Sequence, residues 1–310
     1  MARIFIDGNQ GTTGLRIVQR LGTREDIELM TLPDAQRKEL AARVAMAKAA
    51  DATVLCLPDD ASRELVAALG DEDGVVLDAS TAHRTDPRFV YGFAELGAAQ
   101  TKAIAGAKRI AVPGCHASGC VAILKPLMQA GLLKADAPLA LTSLTGYSGG
   151  GKKMIADYEA PDRDPALHAP RPYAVGQTHK HLPEIVHVCG LAQPPVFQPI
   201  VVDAYSGMLV SLPLTQAMLS APAGVQQLTQ LYRDFYAGAK LVRVQDANPE
   251  PVIDSVKMSG TDAMELFVTG NDERMIVYAR FDNLGKGACG AAIECLNLAL
   301  GLPPETGLCL

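Results

Sequence analysis

The sequence predicts an α/β protein: a doubly wound parallel sheet, followed by an α+β domain whose sheet is mainly antiparallel. Three observations carry this reading. Apolar strand-like runs alternate with helical patterns from Arg3 to Val112, the signature of βαβ units. A glycine-rich turn, Gly8-x-x-Gly11-x-x-Gly14, lies between the first strand and the first helix. Beyond residue 115 strands dominate, which favours antiparallel pairing.

The first strand, Arg3 to Ile6, leads into that turn, and Leu15 to Leu21 continues as a helix. Gly8 permits the tight turn, Gly11 lets backbone approach a pyrophosphate, and Gly14 lets helix and strand pack closely. The alternative is a plain βα turn. A second strand, Ile27–Leu32, ends at Pro33-Asp34 and is followed by Arg37-Lys38. An acid here suits the ribose of NAD, whereas basic side chains suit the 2′-phosphate of NADP. Asp34 sits in the loop, so Arg37 and Lys38 favour NADP, unless they merely begin a solvated helix. Asp51–Pro58 is a buried strand and Asp59–Leu69 its helix. Val75–Ser80 is the next strand, with His83 and Arg84 at its carboxyl edge, where α/β sheets bind ligands. Arg84 is a candidate for a phosphate or carboxylate; its alternative is a surface pair with Asp86.

The stretch Val112-Pro113-Gly114-Cys115-His116-Ala117-Ser118-Gly119-Cys120 is the most informative. A Pro-Gly turn ends an apolar run, a cysteine follows, and a helix is expected over Cys120–Gln129. A helix start offers unpaired N–H groups and positive potential, which favour the thiolate. Cys115 is therefore the candidate nucleophile, the alternative being one more small core residue. Downstream, Leu139–Thr145 alternates like a strand, and Gly146–Lys153 reads as a glycine-rich loop with two lysines, a possible anion nest. Asp157–Pro172 reads as irregular. His179 and His181 are expected to share one side of a strand; they could bind metal, but with a thiol nucleophile elsewhere an acid/base histidine is the better reading. Further strands are expected at Pro194–Val202, Gly207–Leu214, Val252–Val256 and Arg274–Arg280, with a helix at Pro222–Ala237. A last helix, opened by Asn283–Ala292, is expected to return to the first domain.

Composition limits the function. The chain has 310 residues, 48% hydrophobic and 20% charged, which suits about two globular domains. A net charge of −6 argues against nucleic acid as a partner. No apolar run approaches the roughly 18 residues of a membrane span. The N-terminus enters a strand at once, so no signal peptide is expected and the cytoplasm is the expected compartment. The seven cysteines include no Cys-x-x-Cys pair and are expected as thiols. Scattered singly, they form no zinc set, and no metal is expected.

Taken together the motifs resemble N-acetyl-γ-glutamyl-phosphate reductase of arginine biosynthesis, in its shorter form. The resemblance rests on Gly8-x-x-Gly11-x-x-Gly14, Asp78-Ala79-Ser80 with Arg84, Tyr91-Gly92-Phe93-Ala94-Glu95-Leu96 and Pro113-Gly114-Cys115. It rests further on Ser148-Gly149-Gly150-Gly151-Lys152, His179-Lys180-His181-x-Pro183-Glu184 and Asn283-Leu284-Gly285-Lys286-Gly287. It implies the architecture of aspartate-semialdehyde dehydrogenase. A Rossmann-type NADP-binding domain would span 1–114, completed by the helix 285–310, with a catalytic and dimerisation domain over 115–284.

The resemblance also implies the chemistry. Cys115 attacks the acyl phosphate, phosphate leaves, and hydride from NADPH reduces the thioester to the semialdehyde. His181, with His179 second, handles protons, and backbone N–H groups near Cys115 hold the oxyanion. NADP(H) is expected on Gly8, Gln10, Gly11, Thr12, Thr13, Gly14, Arg37, Lys38, Pro58, Ser80 and Gly285. The substrate is expected on Arg84, Ser148, Gly149 and Lys152. A homodimer or homotetramer is implied. The alternatives are another acyl-phosphate reductase such as aspartate-semialdehyde dehydrogenase, a catalytically silent NADP-binding regulator and, more distantly, a zinc hydrolase using His179 and His181.

Overall fold

Strand β1 (Ala2–Asp7) is followed by α1 (Thr12–Leu21), β2 (Ile27–Met30), α2 (Leu40–Ala49), β3 (Ala52–Leu55) and α3 (Asp59–Ala68). Then come β4 (Val75–Asp78), β5 (Val90–Tyr91), α4 (Ala98–Gly106) and β6 (Arg109–Ala111). The computed structural model describes residues 1–70 and 73–310. The six strands form one sheet in the order β2-β1-β3-β4-β6-β5, parallel throughout.

Alternation along β1 explains the layers. Ile4 and Ile6 join a cluster with Ile17, Leu21, Val54, Leu77 and Ile110, whereas Phe5 packs with Ala47 and Ala50 of α2 and its end. Neighbouring side chains of a strand face opposite ways, so both faces of the sheet are covered, as a parallel sheet requires. The first cluster also contains Cys289, Ile293, Cys295 and Leu296. Accordingly, Met1–Ala94, Ala98–Gly114 and Ala288–Leu308 form one unit, and Glu95–Gly97, Cys115–Gly287 and Cys309–Leu310 the other.

The second unit opens with α5 (Cys115–Gln129), β7 (Ala140–Gly146), α6 (Gly151–Glu159), β8 (Arg171–Pro172) and α7 (Leu182–Cys189). It continues through β9 (Val196–Val202), β10 (Met208–Thr215), α8 (Val225–Phe235), β11 (Val242–Val244), β12 (Met264–Gly270) and β13 (Arg274–Phe281). The helix α9 (Gly290–Ala299) belongs to the first unit. The second sheet runs β11-β12-β13-β10-β7-β9-β8. Its pairing is mixed: parallel at β7–β9 and β11–β12, antiparallel at β7–β10, β10–β13, β12–β13 and β8–β9.

Helix α5 lies directly on this sheet. A Cβ on Gly119 would fall 2.5 Å from Val210 Cγ2 and 2.8 Å from Phe281 Cε1. Pro126 sits inside α5 and has no N–H for the carbonyl of Ala122, four residues back. The Tyr236 hydroxyl donates to that carbonyl at 2.8 Å, and the Tyr232 hydroxyl donates to the next one, Ile123, at 2.8 Å. The helix thereby keeps its buried carbonyls satisfied across the proline.

Several local expectations are corrected. Helix α5 starts at Cys115, not Cys120. His179 and His181 lie on no strand; they occupy the turn before α7, with His181 at its N-cap and Pro183 in its first turn. Lys152 and Lys153 stand on α6 rather than in a loop, and α6 also takes up the start of the stretch read as irregular. Val252–Val256 is not a strand, because the Asp254 carboxylate accepts the N–H of Val256 at 2.8 Å and of Lys257 at 2.7 Å and turns the chain.

Candidate active site

Cys115 occupies the first position of α5, directly after Pro113-Gly114. Its side chain is partly exposed. The neighbouring wall is Gly287: a Cβ there would fall 3.0 Å from Cys115 Cβ. The first-turn N–H groups of a helix lack intrahelical partners and favour a thiolate. Other thiols are set differently. Burial pushes Cys56 and Cys189 up to about 12 and Cys120 well above its ordinary value. No disulfide joins the described residues.

Three histidines gather in the same unit. His179 and His181 have ring centroids 4.8 Å apart. His116, which the sequence reading left without a role, lies 5.3 Å from His179 and 5.6 Å from His181. Both nitrogens of its ring are engaged, Nδ1 with Ser143 Oγ at 2.7 Å and Nε2 with Tyr173 Oη at 2.6 Å. Burial, then the charges of His179 and Lys180, lower His116 to about 3. Burial, then Lys180, lower His179 to about 4. Both are therefore neutral imidazoles at pH 7. Burial, with the negative charge of Cys115, pushes the Tyr173 phenol well up. Among the described residues no three His, Cys, Asp or Glu side chains group as metal ligands.

The turn carrying the histidines is strained and clamped. Ala174 and Gln177 have φ of 50° and 58°, a left-handed conformation uncommon outside glycine. The Gln177 side chain bonds Phe197 twice, its Nε2 donating to the carbonyl and its Oε1 accepting the N–H, each at 2.9 Å. The Phe197 ring packs edge-on against His116 and His179. Gln177 thus behaves like one more residue of a β-ladder.

Ser148 is buried, and its Oγ accepts from Asn283 Nδ2 at 3.0 Å, while Asn283 Oδ1 accepts the Gly207 N–H at 3.0 Å. Gly149 also lies by Asn283: a Cβ there would come 3.5 Å from its Nδ2. Lys152 stands in the first turn of α6. Gly285 backs onto the Thr261 carbonyl, which a Cβ would approach to 1.9 Å; this packing alone demands glycine.

The first unit holds the glycine turn. Gly8 has φ 87°, and a Cβ on it would fall 2.2 Å from the Cys56 carbonyl oxygen. A Cβ on Gly14 would fall 2.4 Å from the Gly8 oxygen. Gln10 and Gly11 are exposed, Thr13 is half-buried, and the first turn of α1 begins at Thr12. The Thr12 hydroxyl is buried with no hydrogen-bond partner. A helix start with an unpartnered hydroxyl fits a phosphate-bearing dinucleotide. Behind the turn, Arg43 Nε donates to Asp7 Oδ2 at 2.7 Å; burial nevertheless pushes the Asp7 carboxyl up.

Arg37 and Lys38 lie exposed after β2, with Arg37 3.8 Å from Asp34. Pro58 precedes α3. Ser80 donates to Asp78 through its N–H at 2.8 Å and its hydroxyl at 2.9 Å, and His83 Nδ1 meets Asp78 Oδ2 at 2.6 Å. Burial pushes the Asp78 carboxyl up, but the bonds from His83 and Ser80 outweigh it and hold it below its ordinary value. Arg84 is buried; its Nε donates to the Val112 carbonyl and its Nη2 to that of Ala79, both at 3.0 Å. Asp86 pairs with Arg88 instead.

Comparison with known proteins agrees with these features. The semialdehyde dehydrogenase NAD-binding domain matches residues 3–104, and the semialdehyde dehydrogenase dimerisation domain matches 115–283. The N-acetyl-gamma-glutamyl-phosphate reductase of Chelativorans sp. is 44% identical over 96% of this chain and 98% of its own. That of Nostoc sp. (reductase 2) is 40% identical over 99% of each. The chain belongs to the N-acetyl-gamma-glutamyl-phosphate reductase family. This family sits within the semialdehyde dehydrogenases, and the fold agrees. Aspartate semialdehyde dehydrogenase II of Vibrio cholerae superposes with a TM-score of 0.72 over 97% of this chain and 99% of its own, at 14% identity. The Candida albicans aspartate semialdehyde dehydrogenase with NADP gives 0.65 over 96% and 98%, at 16% identity. Among the described residues no helix is long and apolar enough to cross a membrane.

Proposed function

We propose that this chain uses NADPH to reduce N-acetyl-L-glutamyl 5-phosphate to N-acetyl-L-glutamate 5-semialdehyde and phosphate, through a thioester on Cys115, as a cytoplasmic homodimer or homotetramer. The observation that carries the reading is the thiol at the first position of α5, in the unit that also gathers His116, His179 and His181. The names of relatives at 40–44% identity support it.

When bound, the reduced nicotinamide supplies the hydride. The chain supplies the rest. Cys115 Sγ, as thiolate, attacks the acyl carbon. The bond from that carbon to the phosphate oxygen breaks, and a thioester remains on Sγ. His181 takes the thiol proton and passes it to the departing phosphate. Both nitrogens of His116 are engaged, which argues against it as the proton carrier, and His179, whose Nδ1 accepts a backbone N–H, comes second. Once the acyl carbon is reduced, its bond to Sγ breaks, the aldehyde carbonyl re-forms, and Sγ leaves as thiolate to take a proton from water. First-turn N–H groups of α5 hold the oxyanion.

Ser148, kept in place by Asn283, with Gly149 and Lys152, would hold the substrate's anionic groups. Arg84, expected there too, spends its donors on the Val112 and Ala79 carbonyls, which suits a brace for the strand end before Cys115. The turn Gly8–Gly14 with Thr12 and Thr13, then Pro58 and Ser80, would hold the dinucleotide, and Arg37 and Lys38 its 2′-phosphate. Gly285 keeps a structural reason of its own.

The test is the reverse reaction. Purified protein should reduce NADP in the presence of N-acetylglutamate semialdehyde only when phosphate or arsenate is added, and NAD should be the poorer acceptor. Faster turnover of aspartate semialdehyde would move the protein to the aspartate branch of the superfamily, and no phosphate dependence would refute the acyl-phosphate reading.

A further inference from the structure

Glu95 and Lys286 are far apart in sequence and meet in the second unit. Lys286 Nζ lies 2.7 Å from both carboxylate oxygens of Glu95. Their side chains are 1% and 4% exposed for lysine and glutamate respectively. Burying two charges costs desolvation that their attraction often fails to offset, so stability is a weak reason to keep such a pair. Its location suggests another.

Lys286 belongs to a π-helical turn, Gly285–Cys289, a rare geometry that recurs at functional sites. Gly285 and Gly287 both donate their N–H to the Asp282 carbonyl, at 3.1 and 3.0 Å. Each also touches a wall with no room to spare. Gly285 backs onto the Thr261 carbonyl, and Gly287 faces Cys115 Cβ, where an added Cβ would sit 3.0 Å away. Lys286 stands between these two contacts. The backbone that its buried side chain anchors runs directly into the surface beside Cys115.

We infer that Glu95 and Lys286 are a positioning pair for the nucleophile: the ion pair pins the π-helical turn so that Gly287 sets the place of the Cys115 side chain. This rests on Cys115 being the nucleophile. Neither residue of the pair is assigned contact with the substrate; both act through Gly287.

The test uses full-length protein and three variants. Glu95→Leu/Lys286→Met removes both charges and fills similar volume, a replacement buried ion pairs tolerate in folding. Its kcat should fall by about 100-fold, the scale of an ångström misplacement, while KM for acyl phosphate and NADPH stays within about twofold. The rate at which iodoacetamide alkylates Cys115 should fall, and its pH midpoint should move. Gly287→Ala should reproduce the kcat loss with the ion pair intact, and decides the matter if the double variant does not fold. Cys115→Ala is the control for the underlying reading: turnover in that variant would remove the nucleophile and this inference together. If Cys115→Ala is dead while the folded double variant, or Gly287→Ala in its place, keeps kcat and alkylation rate near the parent's, the positioning role is wrong and the nucleophile stands.

Discussion

His179 Nδ1 accepts the backbone N–H of His181 at 3.2 Å. This bond fixes the neutral tautomer of His179 with its proton on Nε2 and ties the two histidines into one turn. His181→Asn should therefore lower kcat by about 10²–10⁴-fold, the usual worth of a general acid–base group. His179→Asn should cost less, because its amide oxygen can still accept the N–H. Steady-state kinetics of both variants check this; equal losses would make His179 a proton carrier as well.

The thiols should differ in reactivity by their setting. Iodoacetamide at pH 7.5 should label Cys115 at the start of α5 and Cys309 at the surface, and leave Cys120, Cys189 and Cys56, whose thiols burial pushes up. Peptide mass spectrometry over a time course reads the order. Substrate added first should protect Cys115 and leave Cys309 exposed to the reagent. Labelling of Cys56 before Cys115 would contradict the assignment.

Stability should fall on mild acidification. His116 has a folded pKa of about 3, against an ordinary 6.5. Below 6.5 the unfolded chain takes up a proton that the folded chain refuses, so the contribution is complete above pH 6.5 and is lost progressively toward pH 3. The slope is about 1.4 kcal/mol per pH unit for one such group. His179, lowered to about 4, acts in the same direction. Urea unfolding at pH 7.5, 6 and 5 should show the fall, and His116→Gln should flatten it.

Tyr236→Phe should destabilise the protein by about 1–3 kcal/mol, the cost of leaving one buried polar group without its partner. The group is the Ala122 carbonyl, which Pro126 cannot serve. In a Pro126→Ala background the alanine N–H can reach that carbonyl, and Tyr236→Phe should then cost much less. A double-mutant cycle by urea denaturation measures the coupling; strict additivity would show that the tyrosine acts by packing alone.

Local pattern carried the first unit and part of the site. Buried strands such as Ala52–Leu55 read as apolar runs broken only by Thr53, Gly8 read as the glycine that a tight turn demands, and Gly14 as the one that close helix–strand packing demands. Pro113-Gly114 marked the turn from which Cys115 opens α5. What escaped the sequence depends on distant partners or on competing local signals. His116 draws its meaning from Ser143 and Tyr173, 27 and 57 residues away, which no local pattern shows. The spacing of His179 and His181 suggested a strand, yet Pro183 and Glu184 just beyond mark a helix start, a signal that outweighs spacing. Val252–Val256 read as a strand, but Asp254 captures two N–H groups and ends any extension. The glycines and small residues that open the last helix suit close contact with a ligand or with Cys115, and packing singles out Gly287 as the one beside Cys115.

The first unit is discontinuous along the chain: its last segment, Ala288–Leu308, follows the whole stretch Cys115–Gly287 of the second unit. On the ribosome this imposes an order. Ile4, Val54, Leu77 and Ile110 emerge early, while Ile293, Cys295 and Leu296, which share their cluster, emerge near the end. At about 5–20 residues per second the wait is roughly nine to thirty-seven seconds. During that interval the nascent parallel sheet has part of one apolar face open to solvent, and the second unit has time to fold ahead of it. The apolar face that α9 covers is thus open for as long as synthesis of the second unit takes.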